Sequence, residues 1–135
     1  MCGSHWTSLS TGCYHFIVGP VNWHMAKAQC EEMNSQLVEI ETEEENAVIL
    51  KEALKMPGVT EVWIGLSDFG KTGKWHWSFG KEITYTNWNK GEPNSDKENC
   101  GGMYTNHPDH PSSPGKWNDI SCTNNVTVGA ICELK

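Results

Sequence analysis

The chain has 135 residues, of which 20% are charged and 37% hydrophobic, with a formal net charge of −7. That size fits one domain spanning 1–135, and the composition excludes a disordered chain. The acidic balance, with basic residues scattered, excludes nucleic acid or an anionic membrane as the main partner, because either requires a basic face.

Residues 1–21 carry two close cysteines, three aromatics and turn residues, which predicts a short hairpin with Tyr14-His15-Phe16-Ile17-Val18 as a strand. Asn22 is an N-cap for a helix running to about Asn34, with Trp23, Ala26, Cys30 and Met33 facing inward. After an extended link at Leu37-Val38-Glu39-Ile40, Thr42-Glu43-Glu44-Glu45 forms a capping box for a second helix. Its inward face is expected at Ala47, Leu50 and Leu54, and Met56-Pro57-Gly58 ends it. The acidic run Glu41 to Glu45 reads as favourable charge at that helix N-terminus. Val62-Trp63-Ile64-Gly65-Leu66 is an apolar strand, and Trp75 and Trp77 alternate around His76 as in another. From about Lys81 to Gly115 the chain is rich in Gly, Pro, Asn and Ser with little periodicity, and loops this long in a compact domain usually carry function. Strand character returns over 116–135. The expected fold is α+β: two helices, short antiparallel strands and a large irregular lobe.

Six cysteines stand at 2, 13, 30, 100, 122 and 132, with no C-x-x-C pair. An even number in so short a chain reads as a disulfide framework from an oxidising compartment, against free buried thiols in a cytosolic protein. The pairing is left open by number alone. Asn125-Val126-Thr127 is a glycosylation sequon, consistent with a secreted, extracellular protein. No apolar stretch approaches the ~20 residues of a membrane span. Cys2 directly follows Met1 and no signal peptide is visible, so a mature chain with an added initiator Met is expected.

The irregular lobe concentrates hard oxygen donors at Glu92, Asn94, Asp96, Glu98 and Asn99, and later at Asn118 and Asp119. Calcium takes roughly six to eight oxygens from carboxylates, amides, backbone and water, and a loop brings such ligands together from several directions. A cis bond before Pro93 would aim the flanking carbonyls into a common site, although only ~5–6% of X-Pro bonds are cis. By composition alone, a solvated polar loop fits equally well.

Glu92-Pro93-Asn94, then Glu98, then Trp117-Asn118-Asp119, bracketed by Cys100 and Cys122, resembles the sugar-binding loop of the C-type lectins. Trp63-Ile64-Gly65-Leu66 is similar to that family's core strand signature. The resemblance spans essentially the whole chain and takes in the cysteine positions of a long-form member. It implies pairs Cys2–Cys13, Cys30–Cys132 and Cys100–Cys122. It also implies a Ca2+ site at Glu92, Asn94, Glu98, Asn118 and Asp119, completed by two vicinal sugar hydroxyls. Each hydroxyl would give one lone pair to the ion, donate to a carboxylate and accept from an amide. Glu-Pro-Asn resembles the mannose-type subclass, selective for equatorial 3- and 4-hydroxyls, whereas galactose-type members carry Gln-Pro-Asp.

Two departures stand out. The positions of the family's auxiliary calcium site are Asp68, Thr72, Ser95 and Asn99 here, so that site is expected to be weak or absent, even with Asp96 as a partial substitute. The segment between Cys100 and Trp117 is longer than in the family's mannose-binding proteins. It is expected to form a secondary contact wall, with Tyr104 or His107 stacking on a sugar face. His107-Pro108-Asp109-His110-Pro111 also invites a zinc site, although a rigid turn is the more natural explanation. Trp63, Trp75, Trp77 and Trp117 are assigned to the core, and Trp88 to buttressing the loop.

Enzyme motifs are missing from the sequence. A glycosidase pair at Glu92 and Glu98 conflicts with calcium ligation, which would keep both ionised where a general acid needs a raised pKa. The resemblance therefore implies a secreted, non-enzymatic lectin for mannose-type glycans on microbial or host-cell surfaces, as in innate immunity. A homodimer or larger assembly would supply avidity. The alternatives are galactose-type binding, or a lectin-like domain for a protein, ice or mineral ligand.

Overall fold

In the computed structural model, which describes residues 2–69, 73–78, 80–95 and 97–134, both ends of the chain enter one sheet. Strands β1 (Thr7–Leu9) and β2 (Gly12–Ile17) make the expected hairpin, closed by the Cys2–Cys13 disulfide. β2 lies antiparallel to the last strand, β8 (Val128–Glu133). β8 also pairs with β3 (Gln36–Leu37) and β4 (Glu61–Ser67).

The β4–β8 pairing is parallel, with Glu61, Val62 and Trp63 beside Val128, Gly129 and Ala130. The sheet is therefore mixed, with this parallel pair set among the expected antiparallel strands. A parallel pair has no connecting turn of its own, so no local signal announces it. Beyond β4 lie β5 (His76–Trp77), β6 (Cys100–Tyr104) and, next to β6, β7 (Trp117–Ile120).

β6 lies inside the stretch read as irregular. A Cβ on Gly101 would stand 2.7 Å from Leu66 Cβ, and one on Gly102 2.5 Å from Ile120 Cδ1. The close approach of neighbouring side chains thus requires two glycines in a central strand, and glycine is what hides a strand from pattern reading.

Helix α1 (Trp23–Glu32) starts where Asn22 Oδ1 accepts from Met25 N at 2.8 Å. It buries Trp23, Ala26 and Cys30, while Met33 falls at the C-cap and is half-buried. The Cys30–Cys132 disulfide fastens α1 to β8 across 102 residues of sequence, a constraint of about 4–5 kcal/mol on loop-closure entropy.

Helix α2 (Glu43–Ala53) is capped by Thr42 Oγ1 accepting from Glu45 N at 3.0 Å. Glu45 reaches back one residue further than a capping box predicts, accepting from Glu41 N at 2.9 Å, and its other oxygen accepts from the Tyr14 hydroxyl at 2.6 Å. The buried face is Glu45, Asn46, Ile49 and Ala53, whereas Ala47 and Leu54 are exposed and Leu50 is half-buried. The helix is turned by one residue, about 100°, from the expected face. Two polar residues with buried partners, Glu45 and Asn46, set the rotation, and an apolar count cannot register them.

Trp23, Trp63, Trp77 and Trp117 are buried. Indole N–H groups of three donate inside the core: Trp23 to Ile64 O at 3.0 Å, Trp63 to Val21 O at 2.7 Å and Trp117 to Asn46 Oδ1 at 2.8 Å. Each ring buries its area without stranding its polar atom. Trp75, also assigned to the core, is only partly buried and packs edge-on against Trp88 at 5.0 Å between centroids.

Candidate functional site

Two backbone bonds lay the 87–92 segment along β7 and a third closes a turn within it. Trp117 N donates to Asn87 O (2.8 Å), Asn89 N to Trp117 O (2.8 Å) and Glu92 N to Asn89 O (2.9 Å). Glu92, Pro93 and Asn94 consequently come to rest beside Asn118 and Asp119, and the Glu92–Pro93 peptide is cis. Asp119 Oδ2 then accepts from two successive backbone amides, Asn94 N at 3.0 Å and Ser95 N at 2.9 Å. Asn94 Nδ2 donates to Glu92 Oε2 at 3.4 Å. Cys100–Cys122 ties the start of β6 to the chain just past β7, so the two halves of the cluster are covalently held near each other.

The electrostatics of this cluster are unfavourable by themselves. Asp119 is fully buried, and its Oδ1, like Glu92 Oε1, is buried with no hydrogen-bond donor. Burial raises Glu92 to about 7, with Asp119 and then Glu98 adding to the shift. Burial also raises Glu98, and the charge of Asp119 acts in the same direction. Three carboxyls therefore repel one another, and two of their oxygens point at no donor. A proton or a cation relieves that arrangement. Among the described residues, no three His, Cys, Asp or Glu side chains close into a metal cage by themselves.

The other expected residues are placed differently. Tyr104 is 2% exposed, its ring stacked on His110 at 4.4 Å and edge-on to His107 at 5.4 Å. Burial raises its pKa, with Glu61, Glu92, Asp119 and Glu98 contributing. This corrects the expectation that Tyr104 offers a stacking face to sugar: its ring is covered by His107 and His110. His107 is partly exposed and lines a cleft of ≈ 250 Å³ with Thr105, Asn106, Pro108, Pro111 and Pro114. Burial and then His110 lower its pKa. Asp109 meets His107 through its backbone N–H, which donates to Nδ1 at 3.1 Å.

At the auxiliary positions, Asp68 Oδ2 accepts from Gly73 N at 2.8 Å and Ser95 Oγ from Lys97 N at 3.1 Å. Thr72 and Asp96 lie outside the described residues. Asn125 is exposed in the turn between β7 and β8. Among the described residues, no helix is long and apolar enough to cross a membrane.

One residue near the cluster was not singled out from sequence. Glu61, at the start of β4, is 6% exposed, with Oε2 unpartnered and Oε1 3.6 Å from His107 Nε2. Burial raises it to about 7, the Asn118 side chain opposes that shift as a hydrogen-bond partner, and Glu98 adds to it. The only sequence signal is an acid at the edge of an otherwise apolar strand.

The family model for the lectin C-type domain matches residues 19–134. CD209 antigen-like protein D of Mus musculus is 38% identical over 125 residues, covering 90% of this chain and 48% of that protein, so the chain spans about half the length of this curated relative. Among solved structures, the cow C-type carbohydrate-recognition domain of CD23, determined in the presence of a GlcNAc2Man3 oligosaccharide, matches with TM-score 0.81 and 31% identity, covering 98% of this chain and 94% of that one. A calcium-independent type II antifreeze protein matches with TM-score 0.81 and 25% identity, covering 98% and 92%. With its mixed sheet, two helices and three disulfides arranged as in those structures, the chain belongs to the C-type lectin family.

Proposed function

We propose that this domain binds mannose-type sugars through a calcium ion held by Glu92, Asn94, Glu98, Asn118 and Asp119. The observation that carries the reading is the pair of buried carboxylate oxygens without donors among the described residues, Glu92 Oε1 and Asp119 Oδ1, in a cluster where burial and then the Asp119 charge raise the proton affinity of Glu92 and Glu98. Its donors are hard oxygens suited to calcium. Since the carboxylates do not form a cage by themselves, the reading requires the amide oxygens of Asn94 and Asn118, the Asp119 carbonyl and sugar hydroxyls to complete the shell.

The ion would supply the attraction for vicinal hydroxyls. The protein's contribution is directional: carboxylates accept hydroxyl protons and amide N–H groups donate to hydroxyl lone pairs. The order acid–Pro–amide at 92–94 supports the mannose-type assignment over the galactose type, and a structural relative determined with a mannose-containing oligosaccharide fits the same sugar class. C-type lectin folds generally serve binding, and no catalytic role is assigned to Glu92 or Glu98.

The protein is read as secreted, with Asn125 as a glycan acceptor. Its role is capture of microbial or host-cell glycans, as in innate immunity. Extracellular calcium modules hold the ion at about 10⁻⁴–10⁻³ M, and a shallow single site is weak for sugar, so avidity would come from a homodimer or larger assembly.

A second reading, binding of ice, protein or mineral without calcium, is favoured by the equal fold likeness to a calcium-independent antifreeze protein. A glycan array probed with and without EDTA separates the two. Signal on mannose-rich glycans that disappears with chelation supports the calcium site, and signal unchanged by chelation overturns it.

A further inference from the structure

Asn118 needs a fixed orientation to serve the proposed site, because an amide that flips exchanges its acceptor oxygen for a donor nitrogen. The sheet register supplies a means of fixing it. Trp63 pairs with Gly102 and Gly102 with Asn118, while Glu61 pairs with Tyr104, so Glu61, Gly102 and Asn118 project from the same face of β4, β6 and β7. Tyr104 stands beside Glu61 on that face, and Ile120 Cδ1 fills the space over Gly102.

On the far side of Glu61 stands His107. Its Nδ1 accepts from Asp109 N at 3.1 Å, which places the proton of the neutral ring on Nε2. That N–H faces Glu61 Oε1 at 3.6 Å. Glu61 Oε2 is buried with no hydrogen-bond partner among the described residues, and the Asn118 side chain is near enough to this carboxyl to oppose the rise in its pKa.

We propose that Glu61 is a positioning residue that draws the Asn118 side-chain N–H toward itself and so turns the Asn118 carbonyl oxygen toward the Glu92–Asp119 cluster. This rests on the calcium reading of that cluster. Partners of this kind orient the groups that touch a metal, and their removal typically lowers metal affinity by about 10–100-fold.

The test compares wild type with Glu61→Gln, which keeps an acceptor oxygen, and Glu61→Met, which keeps the bulk and loses the acceptor. Two readouts are needed: the Asn118 side-chain amide resonances of calcium-free ¹⁵N-labelled protein, assigned by their loss in Asn118→Asp, and calcium affinity by calorimetry. We expect nuclear Overhauser contacts between the Asn118 amide protons and the Glu61 methylenes in wild type. Glu61→Met should shift those resonances and weaken calcium about 10-fold or more, with Glu61→Gln close to wild type. A merely structural role would leave Glu61→Met equal to wild type in both readouts, and that result overturns the proposal. If Glu61→Met does not fold, the wild-type Overhauser contacts decide, and their absence is equally fatal. Wild type that binds no calcium refutes the parent reading of the cluster, whereas the calcium-free amide signals still test the positioning.

Discussion

Replacing Asp119 separates what the site does for folding from what it does for binding. Its Oδ2 accepts two backbone N–H bonds, from Asn94 and Ser95, while its Oδ1 has no donor and its charge raises the pKa of Glu92 and Glu98. Asp119→Ala deletes both bonds. Hydrogen bonds to charged groups contribute about 1.5–3 kcal/mol each, and because Asn94 is exposed the lower end applies. Relief of carboxylate repulsion subtracts from that sum, leaving a net loss of about 2–3 kcal/mol. At roughly 3–4 °C per kcal/mol for a domain of this size, calcium-free Tm should drop by about 6–12 °C.

Asp119→Asn retains an acceptor oxygen for both N–H groups and removes the charge. Its calcium-free Tm should match or exceed that of wild type. Both variants should lose calcium binding measured by calorimetry. Scanning calorimetry in EDTA, followed by calcium titration, provides both numbers. The reasoning is refuted if Asp119→Asn melts as low as Asp119→Ala, or if either binds calcium as wild type does.

The sign of the pH effect follows from the same cluster. Glu92 binds its proton more tightly folded than unfolded, at about 7 against an ordinary 4.5. The penalty on the calcium-free fold is therefore fully present above pH 7 and gone below about 4.5. Calcium-free Glu92→Gln should exceed wild type in Tm at pH 8, with the gap closing by pH 4.5, and a gap that widens on acidification contradicts this. Calcium-loaded protein should behave oppositely, losing mannose binding as protons displace the ion, and retention at pH 4 in low calcium would count against it. Trp117→Phe leaves Asn46 Oδ1 without its indole donor, which should cost about 1–3 kcal/mol in urea unfolding; a cost under about 0.5 kcal/mol would show that this bond is inconsequential. Glu92→Gln with Asn94→Asp should shift a competition assay from mannose toward galactose, and an unchanged ratio would assign selectivity to the flanking 101–116 segment.

Much of the fold was legible because its signals are local. Asn22 and Thr42 cap their helices where side-chain oxygens predict, and Val62 to Leu66 form the expected apolar strand. The disulfide pairing came from the family resemblance and holds in the structure. What stayed hidden depends on distant partners. β6 reads as loop because its two glycines are demanded by Leu66 and Ile120. The α2 face is set by Tyr14 and Trp117, remote in sequence from Glu45 and Asn46. Tyr104 looked like a sugar contact because an aromatic in a polar lobe resembles one, yet it lies in a wholly buried strand with His107 and His110 against its ring. Glu61 was invisible as a site residue, since its relation to Asn118 exists only through sheet register.

Convergence of oxygen donors from the 92–98 loop and from β7 on one cation is tested most directly by a crystal structure grown with calcium and mannose. One ion should be bound by Glu92, Asn94, Glu98, Asn118 and Asp119 at about 2.3–2.6 Å, with two sugar hydroxyls completing its shell. Those five side chains found apart, with calcium absent and mannose elsewhere or unbound, would contradict it.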